Sequence, residues 1–207
     1  IYCIVETMAF SENTKYIVGS IGILLLGGFF VYFQYSGQNL FPSTQIVTPV
    51  EVHVHSDFLF YILDKRVDLT ADKYQTTKTH TLKSDIHFHD NVDTQIHRHA
   101  NGVTLADFLR SLGFTLTNDC ITTDESKTYC SDDTDKLLLL VNGVKIENIT
   151  SYITQQADQI LLYYGDPNSP NISTYESQIT NDACLYSGTC PERGKPPFET
   201  CGLTCEI

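Results

Sequence analysis

The sequence predicts an α+β fold in which a mixed β-sheet packs on one helix, preceded by one N-terminal transmembrane helix and followed by a cysteine-rich tail. Three observations support this prediction: an uncharged apolar run near the N-terminus, a series of short strand-like segments interrupted by one helix signal, and six cysteines in the C-terminal half. A length of 207 residues fits one domain with an appendage. With 42% hydrophobic and 18% charged residues, the chain has enough apolar mass to bury a core.

The apolar run YIVGSIGILLLGGFFVYF, residues 16–33, is long enough for a membrane helix. It contains no charge, and about 20 apolar residues span a bilayer, so residues 16–35 are predicted to form a transmembrane signal anchor. A cleaved signal peptide is the rival interpretation, but its apolar region usually has about 7–15 residues and ends in small residues. Lys15 is the nearest basic residue, which places residues 1–15 in the cytoplasm, with Met8 as the expected start, and the rest outside.

Three further regions follow the predicted anchor. Residues 36–50 are polar and contain two prolines, as tethers between a membrane and a domain often do. Residues 51–166 are predicted to form a histidine-rich domain, and residues 167–207 a disulfide-rich tail. The net charge of −12 disfavours nucleic acid as a partner, because phosphates would be repelled, and it favours cations and basic partners.

The first half of the predicted domain is a series of short strands. Residues 58–63 and 67–69 are apolar runs on either side of a polar Asp-Lys-Arg turn, which predicts a hairpin. The segments IHFHD and QIHRH, residues 86–90 and 95–99, alternate between apolar and polar side chains around a cluster of turn-forming Asp and Asn residues.

One helix and two buried strands complete the predicted domain. Residues 103–113, VTLADFLRSLG, have Thr104 as a potential N-cap, Asp107 three residues later as in a capping box, and a glycine at the end. The apolar stripe of this helix consists of Leu105, Phe108, Leu109 and Leu112. KLLLLVNGVKI and QILLYYGD, residues 136–146 and 159–166, are predicted to be strands, the first ending in an Asn-Gly turn.

The most distinctive motif is His-x-His. It occurs three times, as His53 with His55, His87 with His89, and His97 with His99. Residues two apart in a strand lie on the same face, about 7 Å apart. Apart from Arg98, which breaks the alternation, apolar residues occupy the opposite parity in each segment: Val52, Val54, Ile86, Phe88 and Ile96. Each segment therefore offers an apolar side to a core and an imidazole side away from it. If the three strands are neighbours, six imidazoles share one face of the sheet.

Such a face predicts a metal site. Nitrogen ligands suit zinc, copper(II) or nickel, and the segment beyond the predicted anchor has no methionine for copper(I), so zinc is favoured and copper(II) follows. Asp57 and Asp85 share the parity of the neighbouring histidines and are candidates to complete a two-His-one-carboxylate set or to orient a ligand. Two alternatives stay open: solvated or hydrogen-bonded histidines, and a pH-responsive patch without metal.

The cysteines predict disulfides. If Met8 is the start, Cys3 drops out and an even number remains: Cys120, Cys130, Cys184, Cys190, Cys201 and Cys205. Six cysteines in an oxidising compartment predict three disulfides, whose connectivity the sequence does not fix. Pairing of neighbours, 120 with 130, 184 with 190 and 201 with 205, is favoured because short loops close most easily. Redox catalysis and cysteine-based metal binding are the alternatives, although no Cys-x-x-Cys motif occurs.

The order of elements resembles a β-grasp fold. The hairpin, strand, helix, strand and closing strand follow that arrangement, and LVNG followed by ADQILLYYG is similar to the end of ubiquitin-like sulfur carriers and extracellular β-grasp modules. The resemblance covers residues 96–165. Sulfur-carrier chemistry is not implied, because Gly165 is followed by Asp166 and a long tail rather than ending in Gly-Gly.

A broader resemblance covers most of residues 53–201. The segments HVHSDF, IHRHANGVTLADF, LLYYGD and ACLYSGTCPERGKPP resemble a set of membrane-anchored His-x-His proteins of environmental prokaryotes, including candidate-phylum bacteria. This resemblance implies membrane anchoring and no particular activity.

The function that the sequence predicts is zinc or copper capture, buffering or sensing by a single-pass membrane protein with its C-terminal domain extracytoplasmic. The expected partners are a metal ion and the membrane, with no nucleic acid. The first alternative is a thiol-disulfide oxidoreductase or metal-dependent enzyme at the cell surface, and the second is a structural interaction module with incidental histidines. Motifs of serine hydrolases, zinc proteases and phosphate loops do not occur, so those classes lack support.

Overall fold

The computed structural model describes Tyr32, residues 52–77 and residues 80–199. The chain divides after Val50, and all described residues except Tyr32 belong to the second unit, Glu51–Ile207. The predicted cytoplasmic lead, anchor and tether lie outside the described residues, apart from Tyr32. In the part of the chain that is described, no helix has the length and apolar character needed to span a bilayer.

Ten strands and three helices form the described unit. The strands are β1 (Val54–Ile62), β2 (Lys65–Arg66), β3 (Ile86–His87), β4 (Gln95–Arg98), β5 (Thr115–Leu116), β6 (Cys120–Thr122), β7 (Thr128–Cys130), β8 (Lys136–Val141), β9 (Val144–Lys145) and β10 (Gln159–Gly165). The helices are α1 (Leu105–Ser111), α2 (Asn171–Gln178) and α3 (Ala183–Tyr186). Single 3₁₀ turns occur at Asp72–Tyr74, Ile149–Ser151 and Pro191–Arg193.

The main sheet is mixed, which confirms the predicted α+β class. Its strands run in the order β3-β4-β1-β10-β8-β9, and β2 pairs with the end of β1. The central pair, β1 and β10, is parallel, while the pairs β1 with β4, β10 with β8, β3 with β4 and β8 with β9 are antiparallel. The other three strands, β5 to β7, form a separate antiparallel sheet.

The hairpin of β1 and β2 is tighter than the sequence indicates. Ile62 pairs with Lys65, so the loop consists of Leu63 and Asp64 alone. Both have positive φ, 48° and 61°, as a two-residue turn of type I′ requires. The second strand therefore begins within the polar Asp-Lys-Arg segment, before the apolar residues 67–69 that were expected to form it.

The two faces of β1 bury different parts of the chain. Phe58 and Phe60 point towards α1, where Phe108 lies edge-on to the rings of Phe58 and Phe88 with centroids 5.9 and 4.8 Å apart. The residues of opposite parity, such as Leu59 and Tyr61, pack on the other face against α2. Because side chains alternate across a strand, one strand supports both layers.

Helix α1 begins as the sequence predicts. The Thr104 hydroxyl accepts from the backbone N–H of Asp107 at 3.1 Å, and the Asp107 carboxylate accepts from the backbone N–H of Thr104 at 3.1 Å. This capping box satisfies two backbone donors at the start of the helix. The predicted stripe is buried throughout: Leu105, Phe108, Leu109 and Leu112.

The region after β10 crosses the sheet face opposite α1. Tyr175 of α2 stacks on Tyr61 with ring centroids 3.9 Å apart, and Ile179 is buried in the same cluster. We call residues 180–199, which continue from there, the covering segment. One disulfide, Cys184–Cys190, closes a loop within it, and another, Cys120–Cys130, joins β6 to β7. The predicted pairing of Cys201 with Cys205 lies outside the described residues.

We expect Phe108→Ala to lower the free energy of unfolding by about 3–5 kcal/mol, because it removes a fully buried ring and leaves a cavity between the sheet and α1. Phe198→Ala is the matched control, since that ring is 89% exposed, and its effect should stay within about 0.5 kcal/mol. Urea denaturation measures both, and equal losses in the two variants would contradict the placement of Phe108.

Candidate metal centre

The sheet aligns three histidines side by side. His55 of β1 is the register partner of His97 of β4, and His97 is the register partner of His87 of β3. Their apolar neighbours Ile86 and Ile96 are fully buried on the α1 side. The imidazoles therefore lie on the opposite face, as the alternation of the His-x-His segments predicts.

All six paired histidines form one cluster, which we call the histidine cluster. Ring centroids are 4.5 Å apart for His53 and His55, 4.6 Å for His55 and His97, and 3.9 Å for His97 and His89. His87 and His99 lie 5.1 Å apart, and His99 and His53 4.7 Å apart. The remaining histidine, His80, lies apart and contacts the backbone oxygens of Asp72 and Gln75 through Nδ1.

The covering segment buries much of the histidine cluster. His97 is 0% exposed, and the Tyr186 ring lies 5.6 Å from the rings of both His55 and His97. The cluster is thus separated from the α1 core but is not an open, solvated face. His53 is the most exposed member, with 35% of its side chain accessible, and His99 is half-buried.

Four side chains of this region form a compact ligand set. His53, His55, His97 and Glu199 each offer one donor atom, and all four atoms lie within 4.8 Å of one another. Oε1 of Glu199 is 3.2 Å from Nε2 of His55 and 3.5 Å from Nδ1 of His97, and Oε2 is 3.8 Å from Nε2 of His53. This set could hold one metal ion.

Glu199 could not be identified from the sequence. It lies in the covering segment, about a hundred residues from His97 along the chain, and no spacing connects it to a His-x-His motif. Its only signal is that it is a carboxylate in a cysteine-braced tail, where Glu192 offers the same side chain.

A second contact from the covering segment orients His55. Nδ1 of His55 lies 2.6 Å from the Ser187 hydroxyl, which also accepts from Gln156 Nε2 at 2.7 Å. When Nδ1 donates to Ser187, Nε2 of His55 carries the lone pair on the side of Glu199. Metal-binding histidines commonly have their other nitrogen fixed in this way.

The hydrogen bonding of the ligand set is incomplete. Among the described residues, no hydrogen-bond partner exists for Nε2 of His55, for either ring nitrogen of His97, or for Oε1 of Glu199, and all four atoms are buried. Buried polar atoms in proteins are nearly always satisfied. One cation would satisfy three of these atoms at once, since Nε2 of His55 and Nδ1 of His97 both lie close to Oε1 of Glu199.

Burial keeps three of the imidazoles neutral. The pKa of His97 lies well below its usual value, chiefly because of burial and then because four other histidines surround it. Burial, followed by the other histidines, lowers the pKa of His99 to about 3, and burial lowers that of His87 to about 4. Neutral imidazole is the form that binds metal, so one ion can bind at neutral pH without displacing a proton from these rings.

The carboxylates around the cluster favour a cation. The pKa of the Tyr186 phenol is raised, first by burial and then by the negative charges of Glu199, Asp182, Asp90 and Asp57. These four side chains therefore make the surroundings of Tyr186 negative, which attracts a positive ion.

The structure does not place Asp57 in the ligand set. Asp57 is fully buried, and its carboxylate accepts hydrogen bonds from Gln95 Nε2 at 2.9 Å, from the Thr180 hydroxyl, and from the backbone N–H groups of Asp182 and Ala183 at 2.8 and 3.2 Å. Burial outweighs these bonds and raises its pKa. Asp57 thus holds the covering segment against β1 through hydrogen bonds. Its position on the same face of the strand as His55 is compatible with this role but does not predict it.

Asp85 is also outside the ligand set. Its side chain is 44% exposed and lies 3.8 Å from Lys83 Nζ, whereas its backbone oxygen accepts from the N–H of His99 at 2.8 Å. Asp85 therefore positions His99 through the main chain and offers no carboxylate to the cluster.

A cleft of about 620 Å³ opens beside the ligand set. It is lined by three of the four ligands, His53, His55 and Glu199, and by Tyr186, Ser187 and the segment around Pro196. Solvent and small solutes can therefore reach the exposed edge of the site at His53.

No family model, curated protein or solved structure matches the chain, so comparison with known proteins assigns neither a family nor a function. The functional interpretation accordingly rests on the geometry of the histidine cluster and its covering segment.

We expect Asp57→Ala to lower the free energy of unfolding by about 2–4 kcal/mol, because it leaves buried donors of Gln95 and the covering segment without an acceptor. Asp68→Ala is the control, because among the described residues that exposed carboxylate accepts hydrogen bonds only from Thr70 in its own turn, and the substitution should leave the free energy of unfolding nearly unchanged. Urea denaturation measures both. An Asp57→Ala protein as stable as the control variant would contradict the fastening role.

The stability of the metal-free protein should fall as the pH drops below about 6.5. Above that pH His87 and His97 are neutral in both states. Below it their imidazoles bind protons in the unfolded chain, whereas burial keeps them neutral in the folded protein. From pH 7.5 to 5.5 the loss should be on the order of 1 kcal/mol for each of these two groups. Urea denaturation with a chelator at the two pH values measures it.

The pH dependence has its own control. His87→Gln should reduce the loss by one group's share, whereas His80→Gln, in an exposed position outside the cluster, should leave it as in the parent protein. The same stability at both pH values would show that these histidines are not buried in the neutral form.

Proposed function

We propose that this protein captures, buffers or senses a metal ion, zinc first and copper(II) second, outside the cytoplasm. The observation that carries the proposal is His97: a fully buried imidazole with Nδ1 3.5 Å from Glu199 and, within the described part of the chain, no hydrogen bond to either ring nitrogen. A hydrogen-bonded structural histidine would use at least one of these atoms. A metal ligand uses the lone pair that is left here.

The donor set supports zinc. Zinc binds imidazole nitrogen at about 2.0–2.1 Å in a tetrahedral arrangement, so the donors around one ion lie about 3.3 Å apart. The nitrogen-oxygen distances from Glu199 to His55, His97 and His53 are 3.2, 3.5 and 3.8 Å. Small rotations of the side chains would suffice to reach zinc geometry. Copper(II) takes the same donors but prefers a tetragonal arrangement, which this set of four approaches less well.

The proposed location rests on the disulfides and on the sequence. Two disulfides, Cys120–Cys130 and Cys184–Cys190, are typical of an oxidising compartment. The apolar segment at residues 16–35 is the proposed membrane anchor, which would place the histidine cluster on the extracytoplasmic side. We also propose that the protein belongs with the membrane-anchored His-x-His proteins that its sequence resembles.

A β-grasp-like classification is part of the same proposal. It is supported by the strand order β4-β1-β10-β8-β9, with the first and last of these strands along the chain, β1 and β10, parallel and central. Helix α1 follows β4 and packs on one face of the sheet. The addition to this arrangement is the covering segment on the other face, where the ligand set lies.

A metal-dependent enzyme is the second candidate, and the cleft beside the ligand set favours it. His53, His55 and Glu199 line that cleft, so a substrate group could approach the ion if one ligand were displaced. Four protein ligands, however, fill the tetrahedron of zinc, which is typical of binding rather than catalytic sites. We therefore place binding first.

We expect the purified full-length chain to bind zinc and Glu199→Ala to weaken that binding by about 100-fold, because it removes the only charged ligand of the set. Glu192→Ala is the matched control, an exposed glutamate in the same covering segment. Competition with a colorimetric chelator in mild detergent measures both affinities.

The expected control result is an unchanged zinc affinity in Glu192→Ala and in His80→Ala. If Glu199→Ala binds zinc as tightly as the parent chain, the ion lies elsewhere. If the parent chain binds neither zinc nor copper(II) measurably, the proposed function is wrong.

A further inference from the structure

His97 has a second buried nitrogen that the ligand set does not use. Its Nδ1 lies on the side of Glu199, whereas Nε2, at the opposite edge of the ring, is also buried and, among the described residues, without a hydrogen-bond partner. One ion satisfies only one of these atoms. The other nitrogen is left for the part of the histidine cluster formed by β3 and the residues that follow it, where the ring centroids of His89 and His87 lie 3.9 and 6.3 Å from that of His97.

His87 presents a lone pair in that part of the cluster. His87 is 0% exposed, and its Nδ1 lies 3.1 Å from the backbone oxygen of Lys83, which can only accept. The proton is therefore on Nδ1, and Nε2 carries the lone pair. This Nε2 is buried and has no hydrogen bond to any described residue. A metal-binding histidine typically donates one ring N–H to a carbonyl oxygen and binds the ion through the lone pair of the other nitrogen, which is the arrangement seen at His87.

His89 completes the group. Its Nδ1 lies 2.8 Å from the Asp90 carboxylate, a pairing that directs Nε2 towards a metal in many sites. The His89 ring centroid is 3.9 Å from that of His97 and 5.7 Å from that of His87, and the centroids of His87 and His97 are 6.3 Å apart. Rings bound to one tetrahedral ion have centroids roughly 5 Å apart. The distance from His89 to His97 is shorter than this value, and the other two distances are longer.

We propose that the histidine cluster binds two metal ions and that His97 bridges them, with the second ion held by the Nε2 atoms of His87, His89 and His97. This inference rests on the proposed function, since the first ion occupies the set of His53, His55, His97 and Glu199. Binding of the second ion displaces the remaining ring proton of His97 to solvent. The bridging imidazolate and Glu199 each supply one negative charge against the two divalent ions.

The order of binding follows from the geometry. Within the described residues, the set with Glu199 is the one whose donor atoms already lie within 4.8 Å of one another. The second set requires the rings of His87 and His89 to turn inwards, and it includes no carboxylate ligand. The second ion therefore binds after the first and more weakly.

The test is a count of copper(II) and zinc in the full-length chain, with electron paramagnetic resonance of the copper-loaded form. We expect two ions per chain. Two copper(II) ions joined by an imidazolate are magnetically coupled, so the resonance should account for much less than the total copper. His87→Gln should bind one copper with full resonance intensity, and His80→Gln should bind two coupled ions like the parent.

The outcomes separate the two proposals. No bound ion in the parent chain would refute the proposed function itself, whereas one ion in both the parent and His87→Gln would leave that function standing and refute the second site. Two copper ions with full resonance intensity in the parent would refute the bridge. The parent measurements decide the question even if His87→Gln fails to fold, which circular dichroism would reveal.

Discussion

The burial of His97 is the constraint on which the rest of the structure depends. Its ring lies at the centre of a row formed by β1, β4 and β3, beneath the covering segment, and neither of its nitrogens has a hydrogen bond to a described residue. Leaving such atoms unsatisfied costs free energy. The protein nevertheless adds Asp57 beneath the segment and a disulfide within it, so the burial is enforced by interactions on several sides.

The covering segment and the sheet contribute different halves of the site. The sheet supplies imidazoles at fixed positions, because register and side-chain alternation determine where each ring lies. The segment supplies the carboxylate of Glu199 and the hydroxyl of Ser187, which reaches His55. An ion held between Glu199 and the histidines of the sheet consequently adds a bond between the two layers, and its binding energy contributes to the docking of the segment.

What the sequence could predict was local. The His-x-His alternation with apolar neighbours such as Ile86 and Ile96 was enough to place the imidazoles on the face opposite the helix, and the capping box of Thr104 and Asp107 was enough to place the start of α1. Glu199 and Ser187 could not be found in this way, because their roles arise from contacts across more than a hundred residues of chain. Asp57 was predicted as a ligand because it shares the parity of His55. Its carboxylate instead accepts hydrogen bonds from the covering segment, a contact that the local sequence does not reveal.

The same local reasoning places the imidazoles away from the core but does not determine whether that face is buried or what charge its rings carry. Six neighbouring rings that all carried charge would repel one another, and burial removes the water that would screen them. The fold instead holds the rings of His87, His97 and His99 neutral, and it surrounds Tyr186 with four carboxylates, those of Glu199, Asp182, Asp90 and Asp57. Burial and the neighbouring rings disfavour protons on the imidazoles, whereas the carboxylates attract a multivalent cation. An ion that coordinates several nitrogens at once offsets the cost of desolvation, which a single proton on one ring cannot do.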